Sequence, residues 1–325
     1  MNKKVKLLTT LSTLALSISA FSANALTLRM AHNLAEDHPT SQAMQKFADE
    51  VKDRTEGDVK VRLFFNGVLG DERSVVEQVQ RGVIDMTRVG AATLETFDPI
   101  YSAFTLPYLF DDREHMYTAL QGEAGEFVYT QTLETGLKGL TFFDGGERNF
   151  YTINKPIMKP EDLRGQKIRV MNSPTAIKMV QLIGGTPTPL AYGEIFTSLQ
   201  QGVIDGAENN PTALTLGRHG EVAKYYSFDR HNRIPDFVLI STRSWDKLTP
   251  EQQEAVQASA DVARDFQKEL WGEQEALAIE EAKSKMGVQF FYPEIEPFRE
   301  KVAPLYDEYR ENQEIATLLD LIQRK

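Results

Sequence analysis

The chain has 325 residues and carries 36 basic and 47 acidic side chains, a net charge of −11 with histidine neutral. Such an acidic surface disfavours nucleic acid and anionic membranes as partners. Cysteine is absent, which excludes a disulfide framework and thiolate metal sites.

Residues 1–25 are typical of a cleaved secretory signal peptide. Three lysines precede an apolar stretch from Leu14 to Phe21, and Ala23-Asn-Ala25 has the form of a cleavage site. The alternative is a retained anchor, but the apolar stretch is shorter than the roughly 20 residues that a membrane-spanning helix needs. The predicted mature chain lacks three lysines and has a net charge of −14.

The first elements after residue 25 alternate between strand and helix patterns. The patterns predict strands over Leu26–Ala31 and Val59–Phe64, and a helix with apolar positions at Ala43, Met44, Phe47 and Val51, then a helix over 71–81. A βαβα order indicates an α/β fold with a parallel sheet.

An internal repeat indicates a second lobe that is built like the first. Val79-Gln-Arg-Gly-Val-Ile-Asp85 resembles Leu199-Gln-Gln-Gly-Val-Ile-Asp205, 120 residues later. In each copy we predict a helix that ends at a glycine, followed by a short strand. The first strand would bring Arg88 to a shared cleft, and the second would bring Asn209 and Asn210.

The segment Gly165–Thr175 predicts a strand that ends beside a ligand. Ile168 and Val170 indicate a strand, and Ser173-Pro174 supplies an N-cap and a first helical residue. Arg169 would then lie at the carboxyl end of the strand, where open α/β sheets bind ligands. Its guanidinium could bind a carboxylate through two parallel hydrogen bonds, or it could form a structural ion pair.

Two extended segments predict crossings between the lobes, at 141–153 and 234–243. Thr249-Pro250 begins a helix pattern that continues to Met286, long enough to span both lobes; two helices broken near Gly272 are the alternative. We therefore divide the mature chain into lobe I, residues 26–146 plus 235–270, and lobe II, residues 147–234 plus 271–325.

The sequence lacks the common catalytic and phosphate-binding motifs, and its five histidines show no metal-ligand spacing. We therefore expect no cofactor and no metal. Polar side chains at predicted strand ends and loops indicate a binding site instead. These candidates are His32, Asn33, Glu72, Arg73, Arg88, Arg148, Arg169, Asn172, Tyr192, Asn209 and Asn210.

Several candidates have a structural alternative. Glu72 and Arg73 could simply form the first turn of a helix. Arg148 could bridge the lobes, and Arg88 could pair with an acidic neighbour. Asn210 could be only a helix cap, and the spacing leaves open whether His32 or Asn33 faces the site.

Six motifs, in this order, resemble the solute receptors of TRAP transporters (tripartite ATP-independent periplasmic systems) over essentially the whole mature chain. They are Leu69-Gly-Asp-Glu-Arg73, Gln80-x-Gly-x-x-Asp85, Phe104-x-Leu-Pro-Tyr108, Leu163-x-Gly-x-Lys-Ile-Arg-Val170, Pro187-Thr-Pro-Leu-Ala-Tyr192 and Leu199-Gln-x-Gly-x-x-Asp-Gly-x-Glu-Asn209. The resemblance implies a two-lobed fold like class II periplasmic binding proteins, with hinge strands and a long helix spanning both lobes.

The resemblance also implies a function and roles for single residues. Such a receptor closes around an organic acid in the periplasm, as a monomer in our expectation, and delivers it to a small and a large membrane subunit. The carboxylate-binding arginine of the family falls on Arg169 and its second arginine on Arg148. Asn209, Tyr192 and Glu72 (or its neighbour Asp71) match the family's amide, aromatic wall and acidic contact.

Three local stretches are similar to receptors for hexuronates such as glucuronate and galacturonate: 31–39, 169–177 and 206–212. Sialate receptors of the family carry an acidic residue where this chain has Arg88, which argues against sialate. Other organic acids, including diketogulonate, aldonates and dicarboxylates, stay open. So do a secreted sugar-acid enzyme that uses Glu72 or Glu208, and a sensor that feeds a signalling partner.

Overall fold

The structure is a computed structural model that describes residues 25–324. Except for Ala25, the predicted signal peptide lies outside the described residues. The strands, in chain order, are β1 (Leu26–Ala31), β2 (Val59–Phe64), β3 (Met86–Gly90), β4 (Leu137–Phe143), β5 (Glu147–Thr152), β6 (Lys167–Val170), β7 (Thr186–Pro189), β8 (Gly206–Asn209), β9 (Tyr225–Arg233), β10 (Asp236–Ser241) and β11 (Gln289–Phe291).

Helices connect these strands and cover the sheets. They are α1 (Pro39–Arg54), α2 (Glu72–Gln80), α3 (Ala91–Leu94), α4 (Arg113–Gln121), α5 (Glu123–Gln131), α6 (Pro174–Ile183), α7 (Ile195–Gln200), α8 (Thr212–Thr215), α9 (Thr242–Trp245), α10 (Pro250–Met286), α11 (Glu296–Val302), α12 (Pro304–Tyr309) and α13 (Gln313–Gln323). Short 3-10 turns occupy Pro99–Thr105, Thr132–Thr135, Pro160–Leu163, Tyr192–Glu194 and His219–Glu221.

The strands form two mixed sheets, and we call each sheet with its covering helices a lobe. The first sheet has the order β2-β1-β3-β10-β4, and the second has the order β11-β9-β5-β8-β6-β7. In the first sheet β1 is parallel to β2 and β3, while β10 runs antiparallel to β3 and β4. The predicted α/β architecture is therefore confirmed, and β1, β2 and β3 pair in parallel as expected, but the sheet as a whole is mixed because β10 returns from the second lobe in the opposite direction.

The chain passes between the two sheets at residues 144–146 and again at 234–235. Both crossings lie within the extended segments that the sequence indicates. The predicted lobe boundaries stay a prediction, and one element differs from them. The last helix, α13, packs on α4, α5 and the Pro99–Thr105 turn of the first lobe, although the sequence-based division assigns it to the second.

The long helix α10 joins the lobes, as the resemblance implies. Thr249 caps its first turn in a capping box with Gln252, and Gly287 ends it in the left-handed conformation. Its 37 residues extend for about 55 Å. Since α10 packs on α1 and β4 of the first lobe and on α8 of the second, the alternative of two helices broken near Gly272 is wrong.

Candidate ligand-binding cleft

A cleft lies between the carboxyl ends of strands from the two lobes and encloses about 630 Å³, part of it open to solvent. Most of the predicted site residues line it. From the first lobe these are Asn33, Glu72 and Arg88, and from the second Arg148, Arg169, Tyr192, Asn209 and Asn210. A cleft between two lobes into which several polar side chains converge is typical of small-molecule sites.

Arg169 carries a buried charge with no counter-ion among the described residues. It lies near the end of β6, is 3% exposed, and donates from Nε and Nη2 to the carbonyl oxygen of Leu190 at 2.9 and 2.7 Å. No carboxylate of residues 25–324 lies within ion-pair distance of it. Burial lowers the pKa of Arg169 from its ordinary value, because the charged form is poorly solvated there. A carboxylate entering the cleft would supply the missing partner.

The local sequence explains why Arg169 faces the cleft. Ser173 accepts a hydrogen bond from the backbone of Ala176 and so begins α6 at Pro174, as predicted. The helix start turns the chain away immediately after β6. Both faces of β6 are buried, and Ile168 and Val170 are fully enclosed in the core.

Arg148 lies next to Arg169 in the cleft wall, but its charge is balanced. Its Nε is 2.5 Å from Oε2 of Glu208, Nη2 donates to the Glu208 carbonyl at 2.8 Å, and Nη1 donates to Oδ1 of Asn209 at 3.0 Å. These partners all belong to β8, beside β5, which carries Arg148. Arg148 therefore does not bridge the lobes; it orders the second-lobe wall and holds the Asn209 amide.

Behind Arg148 a buried histidine completes a chain of charges. His231 has Nδ1 2.7 Å from Oδ2 of Asp229 and Nε2 3.4 Å from Oε2 of Glu208. Burial alone would lower the pKa of His231, but the two carboxylates outweigh it and raise the pKa to about 9. Burial alone would raise the pKa of Glu208, but Arg148 and His231 lower it to about 2. Arg148 and protonated His231 thus balance Glu208 and Asp229.

The first-lobe wall holds two carboxylates around one guanidinium. Arg88 donates from Nη1 to Oε1 of Glu72 at 3.1 Å and to Oδ1 of Asn33 at 3.4 Å, and its Nη2 donates to Asp236. The other oxygen of Glu72 accepts from Thr93 at 2.8 Å. Arg88 therefore both lines the cleft and pairs with acidic neighbours. We call Glu72, Arg88 and Asp236 the acidic wall.

The structure adds a histidine that the sequence analysis did not select. His38 is the N-cap of α1, and its Nδ1 accepts from the backbone of Thr40 at 3.1 Å. Burial, helped by the charge of Arg88, lowers the pKa of His38 to about 3. A neutral ring that accepts at Nδ1 carries its proton on Nε2. Since His38 lines the cleft, that N–H can donate to a ligand.

Trp271 places the long helix at the cleft, which the sequence analysis did not foresee. Its side chain is 1% exposed, and Nε1 has no hydrogen-bond partner among the described residues. Gly146, at the first crossing, packs against this ring with φ +76°. A Cβ there would lie 2.8 Å from the Trp271 ring and 2.7 Å from Asn210, so a larger residue is excluded.

Asn210 contributes both to the cleft and to the first crossing. Its Oδ1 accepts from the backbone and the hydroxyl of Thr212, at 3.0 and 2.6 Å, and Nδ2 donates to the Gly145 carbonyl at 2.7 Å. The N-cap of α8 is Pro211, so Asn210 is not itself the cap, but it accepts from the first helical residue and is also part of the lining. Tyr192 contributes an aromatic face, 5.6 Å from the His219 ring.

Three predicted residues lie elsewhere. His32 is buried behind the cleft, where its Nδ1 accepts from Leu34 at 3.3 Å, so Asn33 is the residue of this pair that lines the site. Asn172 and Arg73 border a second opening beside the cleft. Arg73 is half exposed, pairs with Glu77 at 3.5 Å, and lies over the ring of Phe97.

The described residues, 25–324, contain no cluster of histidine and carboxylate side chains suited to a metal ion. Over the same range no helix is long and apolar enough to cross a membrane. Of the three arginines that line the cleft, Arg88 and Arg148 pair with carboxylates, whereas Arg169, in the wall opposite the acidic wall, pairs with none in the part of the chain that the structure describes. That arrangement can bind an anion that also carries hydroxyl groups.

Solved structures with the same fold hold sugar acids. A TRAP periplasmic solute-binding protein from Anaerococcus prevotii with bound α/β-D-glucuronate superimposes with a TM-score of 0.89 at 37% identity, over 92% of this chain and 97% of that one. One from Sulfitobacter sp. NAS-14.1 with bound β-D-galacturonate gives 0.88 at 36% identity, over 91% and 99%.

Sequence comparison agrees with the structural one. The Salmonella typhimurium protein YiiZ is 42% identical over 316 residues, which are 96% of each chain. The family described as bacterial extracellular solute-binding proteins, family 7 (DctP), matches residues 30–312. Its members bind solutes and are not enzymes. The chain belongs to this family and is a periplasmic solute-binding protein of the TRAP transporter type.

Proposed function

We propose that this protein is the periplasmic receptor for a hexuronate, D-glucuronate or D-galacturonate, and delivers it to TRAP membrane subunits. The observation that carries the proposal is Arg169, a buried guanidinium that has no counter-ion within residues 25–324 and lies at a cleft with many hydroxyl-binding groups. A hexuronate has one carboxylate and several hydroxyls, which fits one free cation and an otherwise polar lining. Structural neighbours at 36–37% identity hold these two sugars.

The carboxylate pairs with Arg169, and closure of the lobes then excludes water. Charge-assisted hydrogen bonds gain strength in a drier site. A buried, unpaired arginine disfavours the empty closed form, so ligand shifts the hinge equilibrium towards closure. The closed form, a monomer in this proposal, is what the membrane subunits recognise.

The crossings between the sheets are suited to act as the hinge. Asp144, fully buried, accepts from the backbone of Gly146 at 2.8 Å and from Arg233 at 3.0 Å, and pairs with Arg113 at 2.7 Å. This carboxylate thus ties the first crossing to α4 of the first lobe and to β9 of the second. Rotation would then be confined to a few backbone bonds near 144–146 and 234–235.

A thermal-shift screen of residues 26–325 tests the ligand assignment. Either uronate at about 100 times its dissociation constant should add roughly 2.7 kcal/mol to the free energy of unfolding, a clear upward shift in melting temperature. D-glucose and D-galactose, which have the same ring without the carboxylate, should give no shift. A shift with succinate or diketogulonate but with neither uronate would contradict the proposal.

His38→Asn should weaken uronate binding by about 0.5–1.5 kcal/mol, the contribution of one neutral hydrogen bond. Asparagine is itself a good N-cap, so the start of α1 should be preserved while the donor at Nε2 is lost. Calorimetric titration measures the affinity. The melting temperature of the ligand-free variant controls for the cap, and unchanged affinity with an unchanged melting temperature would exclude His38 from the site.

A further inference from the structure

We propose that the acidic wall receives the uncharged, hydroxylated end of the ligand and excludes a second carboxylate. The receptor would then select sugar acids with one carboxylate over aldarates and short dicarboxylates. This inference rests on the proposed uronate function and adds to it the orientation of the ligand and the residues that set its charge.

Both Nη groups of Arg88 already serve protein acceptors. Nη1 donates to Glu72 and Asn33, and Nη2 donates to Asp236, while Nε is buried without a partner among the described residues. Nε can give a ligand one hydrogen bond, but a second one to the same carboxylate would compete with Glu72 or Asp236 for an Nη group. A protein carboxylate displaced in this way would remain in a buried wall without its partner, which is strongly unfavourable. Arg88 therefore does not act as a second carboxylate clamp.

The two lobes contribute opposite net charges to the cleft, negative on the first lobe and positive on the second. The acidic wall has two carboxylates and one guanidinium, and the neighbouring His38 is neutral, so a negative charge is left over on the first lobe. On the second lobe Arg148 is balanced by Glu208, and Arg169 is left as the free cation. A monoanion can place its carboxylate at Arg169 and its neutral end at the acidic wall. A dianion of similar length must bring its second charge against like charges.

The acidic wall also has the acceptors that hydroxyl groups need. An ionised carboxylate accepts through about four lone-pair sites. Glu72 uses its two oxygens for one hydrogen bond each, to Arg88 and Thr93, and Asp236 bonds Arg88 through Oδ2. Further acceptor capacity is left on these oxygens for O–H donors. A uronate presents a ring of hydroxyls there, whereas an aldarate presents a carboxylate that only accepts.

Competition titrations with the whole mature protein test the inference. D-galacturonate is compared with galactarate, and D-glucuronate with D-glucarate, at fixed ionic strength and pH 7. We expect each aldarate to bind at least 100-fold more weakly than its uronate. Aldarates are open chains and uronates are rings, so the two ligands differ in shape as well as in charge. Variants that remove a carboxylate charge without changing the size of the side chain separate these two causes. Glu72→Gln and Asp236→Asn should each reduce the ratio of the aldarate dissociation constant to the uronate dissociation constant at least tenfold. If the shape of the ligand alone caused the discrimination, these substitutions would leave the ratio unchanged.

A matched control removes a carboxylate outside the cleft on the same helix. Glu77→Gln changes an exposed side chain of α2 that pairs with Arg73, and it should leave the ratio unchanged. Binding of an aldarate within threefold of its uronate would overturn the inference while the uronate function stands. An unchanged ratio in both folded acidic-wall variants would overturn it too. Failure of both uronates to bind would overturn the proposed function and this inference with it.

Discussion

Arg169→Ala is expected to reduce uronate affinity by about 3–5 kcal/mol, a loss of roughly 10²–10⁴-fold in the dissociation constant. The reason is that the ligand carboxylate would be buried in the closed cleft without its cation. Arg148 cannot replace Arg169, because Glu208 and Asn209 already take its donors. Calorimetric titration with the preferred uronate measures the effect.

Two other variants separate charge from geometry. Arg169→Lys keeps the charge but lacks the planar fork, so its affinity should lie between wild type and Arg169→Ala. Arg73→Ala removes an arginine that is half exposed beside the cleft and already paired with Glu77, and should cost less than about 1 kcal/mol. If folded Arg169→Ala bound as tightly as wild type, Arg169 would not be the clamp.

Stability of the ligand-free protein should respond differently to Arg169→Ala. The substitution removes two hydrogen bonds to the Leu190 carbonyl, but it also removes a buried charge that has no counter-ion. These effects oppose each other, so the free energy of unfolding should change far less than the affinity. Chemical denaturation without ligand measures this, and a stability loss as large as the affinity loss would make Arg169 a structural residue.

The sequence predicted the elements whose signals are local. Strands Leu26–Ala31 and Val59–Phe64 and the helix Pro250–Met286 have the bounds that alternation, capping and a terminal glycine indicate. The two repeated helices also end as expected, since Gly82 and Gly202 follow them with φ +71° and +68°. Arg169 belongs to this class too, because a strand followed by Ser-Pro fixes where the strand ends.

The parts of the site that the sequence did not predict arise mainly from contacts between distant segments. Asp236 meets Arg88 across 148 residues of sequence, and no local pattern links the two. Trp271 has the pattern of an apolar residue inside a helix, so only the position of α10 against the crossing brings it to the cleft. His38 precedes a proline at a helix start, a pattern that indicates only a cap and does not show that the residue also lines the cleft.

His231→Gln is expected to destabilise the protein by about 3–5 kcal/mol at pH 6, where the wild-type ring is protonated. Within residues 25–324, the variant leaves Arg148, which pairs with Glu208, as the only cation in an ion pair with either Glu208 or Asp229. Glutamine keeps hydrogen-bonding groups at the position, so the loss reports mainly on the charge. Urea unfolding, followed by the fluorescence of the two tryptophans, measures it.

The pH dependence of this loss identifies its cause. Folded His231 keeps its proton up to about pH 9, whereas in the unfolded chain it is lost near pH 6.5. Between these values the folded state binds more protons, so stability falls as pH rises. The contribution is fully present below pH 6.5, amounts to about 3 kcal/mol, and is lost as pH rises through 9. The difference between wild type and His231→Gln should shrink accordingly.

A second group, the partly buried Glu275, titrates in a neighbouring pH range, and its contribution must be removed from the comparison. Burial raises the pKa of Glu275 to about 7 from its ordinary 4.5. The folded state holds that proton longer as well, so stability falls between pH 4.5 and 7 for a different reason. Both proteins should therefore carry Glu275→Gln. An equal stability difference at pH 6 and pH 9.5 in that background would show that His231 is not charged in the folded protein.

The same titration connects the buried histidine to binding. While His231 is protonated, it and Arg148 balance Glu208 and Asp229, and Arg169 remains the net cation of the second-lobe wall. Above pH 9 the neutral ring leaves one negative charge behind Arg148, which opposes the attraction of an anion to Arg169. Uronate affinity should thus fall in the same pH range as stability, although His231 lies behind the cleft wall. If stability fell there and affinity did not, the charge of His231 would support the fold alone.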